Sequence, residues 1–554
     1  MESSEPALDG SSRRLAADVD VLVVGAGISG IYQLYRAREA GFSVQLLEAG
    51  GGVGGTWYWN RYPGARFDSE SYTYGYLFSK ELFDDWEWKE HFAEQPETER
   101  YLNHVVDRFD LRRHIRFNAK VTSAEYDESS GKWTVVVDDG TEFRARFVVA
   151  TTGVLSVPYL PDVLGREDFR GESYNTGRWP TTPVDFAGKR VAVIGTGSSG
   201  VQVIPAIADE VASLTVYQRT ANWCTPLNNA PITPEQQAQL RAGFELLRDT
   251  LNTSSSGFHH RPHDRATFDD SNEERRAFFE KMWASPGFSK LISNYTDVMI
   301  DRDANAEWCE FVAEKVRSAV EDPETAEMLI PKDHRFGEKR PPFVTGYFET
   351  YNNPKVSLVD LKRTPIERMT ATGIVTAEGE QQFDIVVWAT GFDFGTGALT
   401  RMGIRGRNGL LLEDYWADGP KTFLGIQSTG FPNLFFPGGP HAAAGNNPRY
   451  NGDQVDFVTE TLTYVRDHGY DTIEVGPAAE EQWTNLMDTV AAKSPAAFGQ
   501  GSYFFGSNIP GKPRRYLLNS AGRPKLFSVI AEVRESDYKM FRLSRASDRE
   551  AATE

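Results

Sequence analysis

Cysteine is nearly missing from this chain. Its 554 residues include only Cys224 and Cys309, which form neither a CxxC redox pair nor a thiolate metal cluster. So few thiols fit a reducing, cytoplasmic setting. Long apolar runs are missing too, and none reaches the ~18 residues of a membrane span. The stretch from Met1 to Val19 is polar, lacks the apolar core of a secretory signal and reads as a loose leader into the first strand. Basic residues are outnumbered: 59 Lys and Arg against 78 Asp and Glu give a formal net charge of −19. That balance argues against nucleic acid or an anionic membrane as the main partner. The cations that matter must therefore act locally.

Glycine, by contrast, is abundant, and its placement is informative. Gly25-Ala26-Gly27-Ile28-Ser29-Gly30 follows the apolar run Val21–Val24, and Glu48 lies downstream. Gly195-Thr196-Gly197-Ser198-Ser199-Gly200 follows Val191–Ile194, with Arg219 and Thr220 downstream. A buried strand, a glycine turn and a helix in this order form a dinucleotide-binding βαβ unit, in which glycines let the backbone approach a pyrophosphate at a helix N-terminus. The residues ending the following strands differ in charge. Glu48 can accept hydrogen bonds from free ribose hydroxyls, which suits FAD; Arg219 can pair with a 2′-phosphate, which suits NADPH.

At 40% hydrophobic and 25% charged residues, the chain has an ordinary globular composition and room for two or three domains. The expected fold is α/β, with two Rossmann-like dinucleotide-binding domains, one for FAD and one for NADP, and a helical insertion. The first unit predicts a helix from Ile28 to Ala40, a strand at Ser43–Leu47, an antiparallel pair at Thr122–Glu125 and Lys132–Val137, and a buried strand through Phe147–Ala150. A Pro- and Gly-rich linker runs from Val157 to about Lys189. Pro234–Arg248, Glu273–Trp283 and Ala306–Val320 are helix-favouring and charged. Ile385–Gly391 is a second apolar strand ending in Ala-Thr-Gly and reads as the return path to the first domain. The resulting division is 1–157 and 385–554 for the FAD domain, 158–224 and 336–384 for the NADP domain, and 225–335 for the insertion.

Further motifs lie between these units. Gly50–Trp57 is a second glycine stretch, followed by Tyr58-Trp59-Asn60-Arg61-Tyr62-Pro63-Gly64-Ala65-Arg66-Phe67-Asp68. The linker holds Phe169-Arg170-Gly171-Glu172-Ser173-Tyr174-Asn175-Thr176-Gly177-Arg178-Trp179-Pro180. Downstream stand Gly337-Glu338-Lys339-Arg340-Pro341 and Asn508-Ile509-Pro510-Gly511-Lys512-Pro513. From about Val19 to Tyr538 these motifs resemble the type I Baeyer–Villiger monooxygenases, a branch of the class B flavoprotein monooxygenases. The linker matches that family's FxGxxxHxxxW fingerprint except that Asn175 stands at the His position. Trp179 favours this branch over relatives that oxidise nitrogen or sulfur.

The resemblance implies FAD and NADPH as cofactors, with O₂ and a ketone or aldehyde as substrates and an ester or lactone as product. A C4a-peroxyflavin anion would attack the carbonyl and form a Criegee adduct. It places the active-site arginine on Arg340 and its orienting carboxylate on Asp68, where a permanently charged guanidinium would stabilise oxyanions. Cofactor contacts would come from Gly25, Gly27, Gly30, Glu48, Gly55, Thr56, Trp57, Asp68, Tyr74 and Val121 on the FAD side. On the NADP side they would come from Gly195, Thr196, Gly197, Ser198, Ser199, Gly200, Arg219, Thr220, Lys339, Arg340 and Tyr503. Tyr503 stands where the family commonly has an active-site tryptophan. The loop Pro440–Pro448 also departs from the best-known ketone-oxidising members and is expected near the flavin and substrate. An N- or S-oxygenating enzyme and an uncoupled NADPH oxidase remain alternatives. His259-His260-Arg261-Pro262-His263 invites a metal reading, but no cysteine or acidic pair beside it completes a ligand set, so an exposed loop without metal is expected.

Overall fold

The computed structural model describes residues 14–442, 444–494, 501–545 and 547. Two sheets organise the chain. In the first, Leu15–Val24 pairs in parallel with Val44–Leu47 on one side and with Glu142–Ala150 on the other. Antiparallel Lys132–Val137 and Val121–Asp127 extend it beyond Glu142–Ala150. Ile115–Arg116 beside Val44–Leu47 and two late segments, Ile404–Arg405 and Leu434–Phe435, complete its eight strands. Val21, Leu22 and Val23 are fully buried, as expected of a parallel strand covered on both faces. The helix Ile28–Glu39 lies against the 21-residue helix Asn447–Asp467. Gln33 Nε2 there donates to Thr459 Oγ1 at 3.0 Å, so the first and last thirds of the chain share one core.

The second sheet has five strands in the order Val356–Asp360, Ser213–Gln218, Arg190–Ile194, Ile385–Trp388, Glu172–Asn175, all parallel. Ile385–Trp388 therefore sits inside this sheet. The expected domain change at 384/385 is too early, because an Ala-Thr-Gly ending marks a βα turn in either sheet. The crossing comes just afterwards. Tyr159 N donates to Gly391 O and Asp393 N to Val157 O, both at 2.8 Å, so the outgoing and returning connections run side by side as one antiparallel ribbon.

The helical insertion is real but is not one body. Gly243 divides the Pro234–Arg248 stretch into Pro234–Ala242 and Phe244–Thr253. Phe244 of this pair packs on Phe83 of the first half, with ring centroids 5.0 Å apart. Asn272–Ala284 and Arg302–Ala319 instead bury Phe279, Met282, Trp308 and Phe311 in the core of the second sheet. The insertion thus grips both halves. The first strand starts at Leu15, inside the stretch expected to be a leader; Met1–Arg13 lie outside the described residues. Among the described residues no helix is long and apolar enough to cross a membrane.

Glycine is required where the fingerprint strand turns into its helix. A Cβ on Gly30 would overlap the carbonyl oxygen of Gly25 and stand 2.6 Å from Thr151 Oγ1. A Cβ on Gly197 would meet nothing within 4 Å. Gly30→Ala should therefore lower stability by about 1–3 kcal/mol. Gly197→Ala should stay within about 0.5 kcal/mol of the parent. Thermal melting of the two variants checks this, and equal melting temperatures would contradict the packing argument.

Candidate functional site

The first glycine turn is built by backbone contact. Gly25 has φ +101°, and its amide donates to Leu47 O at 2.8 Å. A Cβ on Gly55 would lie 2.7 Å from Gly27 Cα, so the two glycine loops touch main chain to main chain. Glu48 is 4% exposed. Its carboxylate accepts from Ala26 N at 2.6 Å and Gly50 N at 2.7 Å, tying both loops to the end of the second strand. Burial raises its pKa; these two donors and the charge of Arg178 pull it back only in part. Two donors leave lone pairs on that carboxylate for ribose hydroxyls. Thr56 is exposed and Trp57 buried on the short helix Thr56–Trp59. Trp57 Nε1 donates to Tyr74 OH at 2.9 Å, and Tyr74 stacks on Phe67 at 4.3 Å. Val121 is buried at the head of its strand; nearby, Ala119 N donates to Glu48 O at 2.9 Å. The residues expected around FAD thus gather around one pair of glycine loops.

The second turn leaves room. Gly195 and Gly200 pack against the fold, whereas Gly197 opens to free space, as close approach by a pyrophosphate requires. Thr196 Oγ1 donates to Thr220 O at 3.1 Å, holding the segment that carries the exposed Arg219. Burial lowers the pKa of Lys339, and the charges of Arg219 and Lys362 lower it further against the opposing pull of Asp333. A bound dianion would relieve that repulsion. The donor set therefore fits a 2′-phosphorylated dinucleotide.

Between the two turns lies the centre of the site. Arg340 Nη2 donates to Asp68 Oδ2, and Nη1 reaches Ser198 Oγ of the second glycine turn at 3.4 Å. The guanidinium sits over Phe288 and Phe343, 5.3 and 5.7 Å from their centroids. Burial alone would lower its pKa, but the Asp68 charge, with Tyr503, more than offsets this and raises it. Arg340 therefore stays charged at every working pH. Tyr503 lies in the field of both; burial pushes its phenol up to about 12, so it is a neutral donor.

A second chain of contacts escaped the sequence reading. Trp179 of the linker fingerprint packs edge-on against Tyr62 at 6.4 Å. Tyr62 OH donates to Gln202 Oε1 at 2.8 Å, and Gln202 Nε2 donates to Arg66 O at 3.0 Å. Gln202 belongs to the helix Gly200–Ile207 that follows the second glycine turn. The fingerprint, the NADP-side helix and the backbone next to Asp68 are therefore one connected unit. Tyr62 lay inside a noted motif, but Gln202 carried no sequence signal.

Three expectations need correction or a narrower account. Asn175 is a turn cap: its Oδ1 accepts from Gly177 N at 2.8 Å, work that needs no titration. In the loop Pro440–Pro448, His441 and Asn446 turn inward, whereas Asn447 is exposed. His441 is fully buried, facing Thr422 Oγ1 at 2.9 Å and Tyr516 O at 3.0 Å, and burial beside Arg515 pushes its pKa down to about 3. Asn446 Nδ2 donates to Thr73 O and Gly257 O, both at 3.1 Å. These two side chains serve packing; Ala443 lies outside the described residues. His259 and His260 are not an exposed loop either, because buried Glu70, far away in sequence, meets both.

Comparison with known proteins agrees with this architecture. A family model described as pyridine nucleotide-disulphide oxidoreductase matches residues 22–309. The disulphide chemistry in that description has no counterpart here, since Cys224 and Cys309 are both free. The 2-oxo-Delta(3)-4,5,5-trimethylcyclopentenylacetyl-CoA monooxygenase of Pseudomonas putida is 41% identical over 96% of this chain and 100% of its own. The acetone monooxygenase (methyl acetate-forming) of Gordonia sp. (strain TY-5) is 39% identical over 95% of this chain and 99% of its own. Among solved structures, OTEMO in complex with FAD and NADP superposes with a TM-score of 0.91 at 41% identity, covering 95% of this chain and 99% of that one.

The Tyr62–Gln202 bond can be tested directly. Tyr62→Phe leaves a half-buried amide oxygen without its donor, which should cost about 1 kcal/mol. The expected readout is a lower melting temperature with the aromatic packing retained. An unchanged melting temperature would remove this bond from the scaffold of the site.

Proposed function

Because the chain belongs to the Baeyer–Villiger monooxygenase family, we propose that it is an FAD- and NADPH-dependent enzyme that inserts one oxygen atom from O₂ beside the carbonyl of a small-molecule ketone or aldehyde, giving an ester or lactone. The observation that carries this reading is the half-buried Arg340–Asp68 pair at the junction of two dinucleotide-type glycine turns. FAD, reduced by NADPH, supplies the activated oxygen when bound.

The chain's own residues have separable tasks. Gly25, Gly27, Gly30 and Gly55 let the main chain close around FAD, and Glu48 accepts from its ribose. Thr56, Trp57, Tyr74 and Val121 line that side. Gly195, Thr196, Gly197, Ser198, Ser199 and Gly200 receive the NADP pyrophosphate. Arg219 and Lys339, with Thr220 beside them, select the 2′-phosphate. Arg340 stabilises negative charge as it develops on oxygen, and needs no proton transfer to do so. Asp68 fixes the guanidinium and supports its charge. Tyr503 offers a neutral hydroxyl beside them. Oxidation of nitrogen or sulfur calls for an electrophilic, neutral oxygen donor, which a fixed cation disfavours. The free thiols of Cys224 and Cys309 support a reducing, cytoplasmic setting for this reaction.

Two measurements test this reading. Arg340→Ala should still consume NADPH, while ester formed from a ketone falls by about 10²–10³-fold; undiminished ester would overturn the role of Arg340. Arg219→Ala should raise KM for NADPH and leave KM for NADH nearly unchanged. A parent enzyme that used both nucleotides equally would sink the 2′-phosphate assignment.

A further inference from the structure

Two residues beyond Asp68, Glu70 precedes the short helix Ser71–Tyr74. Its side chain is 1% exposed. A carboxylate at that depth is costly unless compensated, and the compensation comes from a segment 190 residues away. His260 Nε2 lies 2.8 Å from Glu70 Oε1, and His259 Nδ1 lies 3.7 Å from Glu70 Oε2. The second approach is too long for a hydrogen bond. Glu70 Oε2 and His259 Nδ1 are both buried atoms without a hydrogen-bond partner, turned towards each other. Ligand atoms from Glu70, His259 and His260 all lie within 4.8 Å of one another.

We propose that Glu70, His259 and His260 form a binding site for a divalent transition-metal ion of the Zn²⁺ type, which fastens the helical insertion to the segment that carries Asp68. Two imidazoles and one carboxylate are a donor set that Zn²⁺ accepts, with a fourth position for water. A bound ion would use the two orphaned atoms. His263 is not part of the set, since its ring packs on Phe278 at 4.5 Å.

The site borders the Arg340 centre on both arms. On one, Tyr74 closes the helix begun after Glu70 and stacks on Phe67, next to Asp68. On the other, Phe258 stacks at 4.4 Å on Phe288, which lies beneath the Arg340 guanidinium.

The test uses the FAD-loaded enzyme, exposed to ZnCl₂ and then freed of loose metal by gel filtration. Parent enzyme and a surface control, His468→Ala, should each retain about one zinc ion per chain and melt higher than after EDTA treatment. His259→Ala, which keeps the Glu70–His260 contact, and Glu70→Gln should lose both the ion and the shift. His259→Ala decides the matter if Glu70→Gln fails to fold. Parent enzyme without zinc, or His259→Ala with the same zinc content and shift as the parent, would overturn the proposal.

Discussion

The contact between Arg340 and Asp68 is the constraint that the rest of the molecule serves. Two charges held out of bulk water are expensive, and each is tolerable only while the other is in place. Asp68 comes from the first half, at the end of an aromatic-rich loop. Arg340 comes from the segment that follows the insertion, where the chain re-enters the second half. Their meeting therefore demands that both halves and the insertion be fixed to one another. The paired connections at 157–159 and 391–393 hold the sheets in register. Phe288 of the insertion and Phe343 just after it form the apolar floor on which the guanidinium rests.

What was legible in the sequence was local. Strand–glycine–helix units impose a hydrophobic run, a turn that excludes side chains and an amphipathic helix within some thirty residues, so both glycine turns and their strands could be placed closely. Lys132–Val137 appears with the bounds its alternation implies. Arg340 was a different matter. It sits in a charged run that composition would assign to solvent, and only the resemblance marked it. The structure supplies the physical reason: burial over two rings, offset by one carboxylate.

What was not legible involved partners separated by long stretches of chain. Gln202 is an ordinary helical residue until Tyr62 arrives from 140 positions away. Glu70 reads as one more acid in an acidic chain, and His259 and His260 read as a loop, until folding superposes them. The boundary at Ile385 failed for a related reason. An apolar strand ending in small residues says that a parallel sheet is present but not which one, because strand order is set by crossovers and not by the strand itself. Asn175 and His441 show the converse. Each looked functional by position, yet Asn175 Oδ1 and both ring nitrogens of His441 are bound to nearby groups of the fold.

The chain's acidity sharpens the meaning of its few converging cations. Lys339 and Arg340 are consecutive, yet their partners differ. Lys339 feels Arg219, Lys362 and Asp333, whereas Arg340 binds Asp68 and reaches Ser198. The turn that aims them is fixed from behind: Phe336 is fully buried, Asn305 Nδ2 donates to its carbonyl at 2.9 Å, and Glu338 accepts from Arg335 at 2.7 Å. Under the proposed function, this short, anchored segment presents one cation to the nucleotide phosphate and the next to the reacting centre. In that reading, the residue that holds the nucleotide and the one that stabilises the oxyanion are set by one backbone segment.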